Sequence, residues 1–385
     1  MERESLRPML RIALKMLFGD RAKYLTLVMG LAFATLLVNQ QASFFLGLLV
    51  RATGPLQNVG EPDLWVTDPG TKWSAEYRSL DDRALDRVRS VPGVRWAEPF
   101  FNSFANIEMP DGTFQRCNII GLPRNSLIGR PAEMIEGRIE DLRAPDAVIV
   151  EVSTRAKLNN PKIGDVLKMN DRRAVIVGYC RAKKGFESNA VIYTTVDNAT
   201  AFTPVGRKWI SFVMVKVQEG VDVSDVRARI NALDGVVAMT PAQFVGRTID
   251  WVLKETGIGV NFGITIALGF VVGVALSAAI FYQFTNENLK YFAVLKALGA
   301  RSPTLIAMVV LQAVTAGGIG FSIGAGVTGF VAIMIRRQPD SELSPVSPWQ
   351  LLAGSGAAML LCVMLASAVS LRRVITVSPA RVFST

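Results

Sequence analysis

NENLKYFAVLKALGAR, residues 286–301, is a short polar and basic stretch between two long apolar ones, and its flanks decide the fold. GIGVNFGITIALGFVVGVALSAAIFYQF (257–284) precedes it, and a second apolar block, 304–335, follows. Blocks 24–50 and 349–371 complete a set of four. Each exceeds the roughly 20 residues that a helix needs to cross a hydrocarbon core of about 30 Å. None carries an Asp, Glu, Lys or Arg between its ends, and soluble core helices rarely stay apolar on every face for so long. The pattern predicts a membrane protein with four transmembrane α-helices, and a large α+β extracytoplasmic domain (51–256) inserted between helices 1 and 2. The expected spans are 24–50, 257–285, 304–335 and 349–371, with an outer loop at 336–348. Block 24–50 is too long for the apolar core of a cleaved signal peptide, typically about 7–15 residues, so it reads as a retained anchor.

The distribution of charge orients these spans. Net charge is +10, which in a soluble chain would point to nucleic acid. Here the basic residues cluster by topology, and no nucleic-acid partner is expected. Arg3, Arg7, Arg11, Lys15, Arg21 and Lys23 precede the first span; Lys290, Lys296 and Arg301 lie between the second and third; Arg372, Arg373 and Arg381 follow the fourth. With alternating spans all twelve fall on one side, which the positive-inside rule makes cytoplasmic. Arg336 and Arg337 depart from the rule, with Asp340 and Glu342 close by in the same loop. Both termini, 1–23 and 372–385, are thus expected in the cytoplasm. Leu6, Leu10, Leu14 and Leu17 recur at helical spacing beside Arg7, Arg11 and Lys15. Such a helix either lies on the membrane surface among lipids or extends the first span.

Catalytic chemistry is hard to place. The chain has no histidine, which removes Ser-His-Asp and Cys-His nucleophiles and the usual zinc sites. No GxxxxGK[ST] loop occurs, so ATP is not held in that way. Asp81 with Asp82, or Asp141 with Asp146, read as caps and turns rather than carboxylate pairs. No enzymatic role, metal or bound cofactor is expected. Cys362 lies inside the fourth span, and Cys117 and Cys180 in the inserted domain can pair, although two free buried thiols is the favoured reading.

Within 51–256, strand-like runs occur at 64–67, 94–98, 107–109, 117–122, 147–151, 166–169, 174–178, 190–194 and 211–217. Asp111-Gly112 signals a hairpin. SLDDRALDRVRSVPGVRWAEP (79–99) is echoed by DVSDVRARINALDGVVAMTP (222–241), each a capped amphipathic helix, a Pro-Gly or Asp-Gly turn and a strand opening with Val. The echo predicts a split domain, with halves at about 60–130 and 200–240 around a β-rich insert at about 134–195. Residues 241–255 read as a helix running almost directly into the second span.

The spans are rich in small residues that let helix backbones approach. Gly259/Gly263, Gly269/Gly273 and Gly320/Gly324 are GxxxG pairs. With Asn39 and Gln40 near the outer end of the first span, they are expected in helix packing or a dimer interface.

This layout resembles the FtsX/MacB-type ABC transporter permease family. Residues 289–313, LKYFAVLKALGARSPTLIAMVVLQA, resemble the family's cytoplasmic segment with its K-A-x-G-A core, here Lys296 to Ala300. FGDRAKYLTLVMGLAFATLLVNQQASF (18–44) is closest to the DevC branch. The family often carries Glu where Tyr291 and Gln312 stand here. The resemblance implies a homodimeric, non-catalytic permease subunit whose partner, a separate ABC ATPase, uses ATP and magnesium. Residues 286–303 would be the coupling helix, with Leu289, Lys290, Phe292, Val294, Leu295, Lys296, Leu298, Gly299 and Arg301 docking the ATPase by shape and apolar contact. Lys290, Lys296 and Arg301 would supply rim charges. It further implies export of a lipid, glycolipid or other amphiphile by mechanotransmission, with a membrane-fusion adaptor and an outer-membrane channel. The alternative is an FtsX-like signalling subunit that regulates a periplasmic cell-wall hydrolase.

Overall fold

The computed structural model describes residues 2–19, 21–76, 78–183, 185, 189–203, 210–338 and 345–376. Asp340, Glu342 and Arg381 lie outside the described residues, as do the side chains of residues 2–10, Lys23, Asp82, Arg372 and Arg373. The chain opens with α1 (Glu2–Gly19) and α2 (Arg21–Ala52), then the single turn α3 (Gly54–Gln57) and β1 (Leu64–Thr67). Next come α4 (Asp82–Arg89), β2 (Val94–Glu108), β3 (Phe114–Leu122), β4 (Glu133–Glu136) and β5 (Ala147–Glu151). β6 (Val166–Met169), β7 (Arg172–Arg181), β8 (Ala190–Thr195), α5 (Val196–Phe202) and β9 (Phe212–Val217) follow. α6 (Val223–Asn231), β10 (Val237–Met239) and α7 (Pro241–Lys254) complete the inserted domain. α8 (Ile258–Glu287), α9 (Leu289–Ala297), α10 (Ser302–Arg336) and α11 (Trp349–Thr376) end the chain. Two compact units result: the inserted domain, Leu48–Gly257, and a helical unit drawn from both ends of the chain.

In the inserted domain, β1–α4–β2 and β9–α6–β10 are two copies of one motif. Their strands lie antiparallel in the order β10-β1-β9-β2, the ferredoxin-like arrangement. Each helix begins on an aspartate whose side chain accepts a backbone N–H two residues on: Asp81 from Arg83, Asp222 from Ser224. Each ends in a turn at a left-handed glycine, Gly93 (φ +95°) and Gly235 (φ +75°), which favours the residue without a Cβ. Ala84 and Val88 of α4 pack with Val226 and Ile230 of α6 over Leu64, Val66, Val213 and Val215. The opposite face buries Trp65 edge-on to Phe100 and Phe212 at centroid distances of 5.3 and 6.0 Å, with Phe244 of α7 beside them. α7 starts in a reciprocal capping box between Thr240 and Gln243. Its Trp251 stacks on Trp73 at 4.6 Å, and the Ser74 hydroxyl donates to the Ala52 carbonyl at the end of α2.

The insert is a closed ring. β2 pairs β3, β3 pairs β8, β8 pairs β5, β5 pairs β7, and β6 joins β7 back to β2. Alternate residues fill it: Ala105 and Ile107, Cys117 and Ile119, Val148 and Val150, Ala174 and Ile176, as a two-residue period requires. Asp111 accepts from the backbone and hydroxyl of Thr113, and Gly112 takes φ +80°, in the predicted β2–β3 hairpin. Cys117 lies inside the ring, while Cys180 belongs to the core on the other side of its wall. Both are free, and burial pushes the Cys117 thiol up to about 12.

One boundary differs from the sequence reading. The first half stops at about Phe100 rather than 130, and the insert begins there rather than at 134. β2 runs unbroken through both sheets, Val94–Phe100 against β9 and Phe101–Glu108 against β3.

In the helical unit, among the described residues, α2, α8, α10 and α11 contain four stretches long and apolar enough to span a membrane. Close approach, not transfer from water, has to hold such helices together, and glycines provide it. A Cβ on Gly320 would stand 2.6 Å from the Cβ of Leu31, and one on Gly324 would stand 2.5 Å from the carbonyl oxygen of Ala32. Gly273 lies equally close to Ala34, and Gly269 rests on Val38. These two pairs thus pack within the chain, on α2. Gly263 faces open space and Gly259 is half-buried. Asn39 is fully buried and Gln40 half-buried, while Ser43 shares a 2.8 Å hydroxyl contact with Ser347.

Candidate coupling site

The basic loop between α8 and α10 contains one nine-residue helix, α9, shorter than the 286–303 expected from sequence. α8 runs on to Glu287, where Asn288 closes it by donating its side-chain amide to the Phe284 carbonyl at 2.8 Å. α9 ends in a paired cap. The Ala300 N–H donates to Leu295 O at 2.9 Å and the Gly299 N–H to Lys296 O at 3.1 Å, with Gly299 at φ +94°. That is the Schellman arrangement, which calls for glycine at this position. α10 then starts at Ser302 with Pro303 in its first turn, where a missing N–H costs nothing.

The two sides of α9 differ in chemistry and in burial. Tyr291, Val294 and Leu298, spaced three and four apart on one stripe, are 62%, 40% and 78% exposed. Lys290 and Ala297 flank them, also exposed. Phe292 and Ala293, on the other side, are fully buried. Phe292 packs with Ala13 of α1, Leu305, Met308 and Val309 of α10, and Val374 of α11. α9 thus presents an exposed aromatic and aliphatic stripe on one side and a buried, packed face on the other.

The sequence-predicted residues divide accordingly. Val294, Leu298 and Lys290 lie on the exposed side, and Gly299 and Arg301 are exposed at the cap. Leu289 and Leu295 are half-buried, Leu295 against the Phe292 cluster. Two assignments are corrected. Phe292 is wholly enclosed and has no surface to offer a partner. Lys296, expected at the rim, is half-buried and donates its Nζ to the Ile375 carbonyl at 2.9 Å, in the last turn of α11. Sequence reading missed Tyr291, set aside as a departure from the family, although its spacing to Val294 and Leu298 marks the same face. It also missed Gln312. This amide is 1% exposed in α10 and donates to the Ala13 carbonyl of α1 at 2.8 Å.

The MacB-like periplasmic core domain profile matches residues 25–233, and the FtsX-like permease C-terminal profile matches 262–379. An uncharacterized ABC transporter permease of Mycobacterium tuberculosis is 26% identical over 315 residues, 78% of each chain. Another, of Mycobacterium bovis, is 25% identical over 364 residues, 92% of this chain and 93% of its own. The macrolide export ATP-binding/permease protein MacB of Salmonella typhi is 21% identical over 203 residues, 49% of this chain and 31% of that protein. Among solved structures, the periplasmic region of MacB from Actinobacillus actinomycetemcomitans aligns with 14% identity and a TM-score of 0.37, covering 52% of this chain and 96% of that one. With the first profile spanning more than half the chain and the second covering the helices that flank α9, the protein belongs to the MacB/FtsX family of ABC transporter permeases.

Proposed function

We propose that this permease is the membrane half of an exporter in a bacterial inner membrane, driven by a separate ABC ATPase that docks on α9. The observation that carries the reading is the two-sided helix: Tyr291, Val294 and Leu298 lie open while Phe292 is locked beneath them. A motor that closes on ATP and magnesium needs such a surface, because it can transmit force only through a contact that does not slide. The twelve basic residues on one side of the alternating spans favour a cytoplasmic α9 and cytoplasmic termini.

Two copies form the working unit in this reading. Gly263, Ala267, Val271, Ala275 and Ala279 recur every fourth residue along α8 and are all exposed, a ridge of small side chains suited to a second helix. The spans carry no charge between their ends, so a polar route through the helices is not the expected path. Motion transmitted to the inserted domains would instead drive a lipid, glycolipid or other amphiphile from the outer leaflet or periplasm into a membrane-fusion adaptor and outer-membrane channel, as in the DevC branch that residues 18–44 resemble.

Co-expression with ABC ATPase subunits from the same genome tests the docking face. Tyr291→Asp with Leu298→Asp is expected to abolish copurification and permease-dependent stimulation of ATP hydrolysis, while membrane insertion and thermal midpoint stay unchanged. Retention of both by a correctly inserted double variant would overturn the assignment.

A further inference from the structure

α9 is joined in sequence to α8 and α10, and its buried side rests on α10 and also on α1 and α11, which are distant in sequence. Phe292 sits among Ala13, Met308 and Val374, from α1, α10 and α11. Lys296 reaches the carbonyl of Ile375, 79 residues further on, at 2.9 Å. A hydrogen bond from an ammonium is charge-assisted and stronger than a neutral one, so this contact ties α9 to α11. Gln312 extends the assembly by tying α10 to α1 through the Ala13 carbonyl at 2.8 Å. Ala13 is fully buried in the cluster that holds Phe292, and Leu17, one turn on, is buried in the main helical core. Ala13 and Leu17 of α1 are thus buried in the bundle.

We propose that α9 is a fixed foot of α1, α10 and α11 rather than a link swinging at the end of α8, and that Lys296 is the positioning residue that latches it. The proposal rests on α9 as the ATPase docking element and adds the route of the load. A push on Tyr291, Val294 and Leu298 enters α10 and α11 directly, and α1 through the Phe292 cluster and the Gln312 bond. α1, for which the sequence leaves open a surface helix or an extension of the first span, becomes a loaded member of the bundle.

Spin labels on the full-length protein in nanodiscs test this without an ATPase. One label replaces Lys290 on the exposed side of α9. A second replaces either Ala368 on α11 or Tyr282 on α8, and the three native thiols are buried. Lys296→Met keeps the aliphatic stem and removes the donor; Lys296→Arg keeps a donor. The expected result is that Lys296→Met widens the 290–368 distance distribution at least twofold, and that Lys296→Arg restores the wild-type width. An unchanged 290–368 width in Lys296→Met would overturn the latch. So would equal widening of the 290–282 and 290–368 pairs, which would mean that α9 is simply unfolding. Docking is read separately: loss of ATPase copurification in the Tyr291/Leu298 variant with no effect of Lys296→Met on label distances leaves the docking face standing and removes the latch.

Discussion

Single residues mark the constraints most sharply where backbone geometry leaves one choice. Gly299 at φ +94° closes α9, and no heavy atom lies within 4 Å of where its Cβ would stand. Gly299→Ala therefore costs conformational strain alone, about 1 kcal/mol. It should raise hydrogen exchange at the last amides of α9 without changing insertion, and Gly299→Asn should fall between. The inserted domain supplies a chemical counterpart. Cys117, with its pKa raised to about 12 by enclosure in the strand ring, should resist maleimide at pH 8 in the folded protein and react in denaturant. Sequence spacing could not decide whether Cys117 and Cys180 pair. The deciding fact is which face of the ring wall each occupies, and that depends on strand register across distant segments.

At the scale of elements, glycine pairs that look alike in sequence have different duties. Gly324 lies against the backbone of Ala32, whereas Gly263 faces open space. Gly324→Val should abolish the packing of α10 on α2 and lower the midpoint in detergent by several degrees. Gly263→Val should leave the midpoint of the single chain unchanged and act, in the dimer reading, only on self-association measured by cross-linking. The sequence motif was legible for both pairs; the identity of the facing helix was not. α9 repeats the lesson. Its apolar residues lie on both sides, so the family resemblance placed Phe292 and Leu298 together, and only the packing of the inner face separates them. Strands β1, β5 and β6 coincide with short apolar runs bounded by turn residues. β2 does not, because Pro99, Asn102 and Ser103 in its middle read as breakers. Pro99 stays in register opposite Val213 where the strand passes from one sheet to the other.

The inserted domain as a whole carries opposing pH signals in two carboxyls. The Ser224 backbone N–H holds Asp222 below its ordinary value of 3.8, so its contribution is complete above that pH and is lost as pH falls through the folded value. Half-burial holds Glu98 above its ordinary 4.5, outweighing the Arg89 guanidinium that pulls it down. The folded state then binds the proton more tightly than the unfolded one, and stability declines as pH rises from 4.5 through the folded value. Glu98→Gln should accordingly raise the midpoint of the isolated domain 48–257 at pH 7 and leave it unchanged near pH 4. Asp222→Asn should lower it at pH 7 and converge with wild type in acid. Thermal scans across that range check both.

The neck of the insert has a consequence for the history of the fold. Phe100 and Phe212 are paired neighbours across β2 and β9, and the Ser211 N–H donates to the Phe100 carbonyl at 3.1 Å. Everything between them leaves and returns at a single hairpin position. A two-residue turn could rejoin the strands and give a minimal four-stranded module. Yet Trp65, Phe100 and Phe212 share their core with Ile120, Leu122 and Ile149 from inside the excursion. Cutting at the neck would leave that aromatic face wet. The excursion can be detached by topology but not by solvation, so its gain would have had to come with the apolar face it now covers.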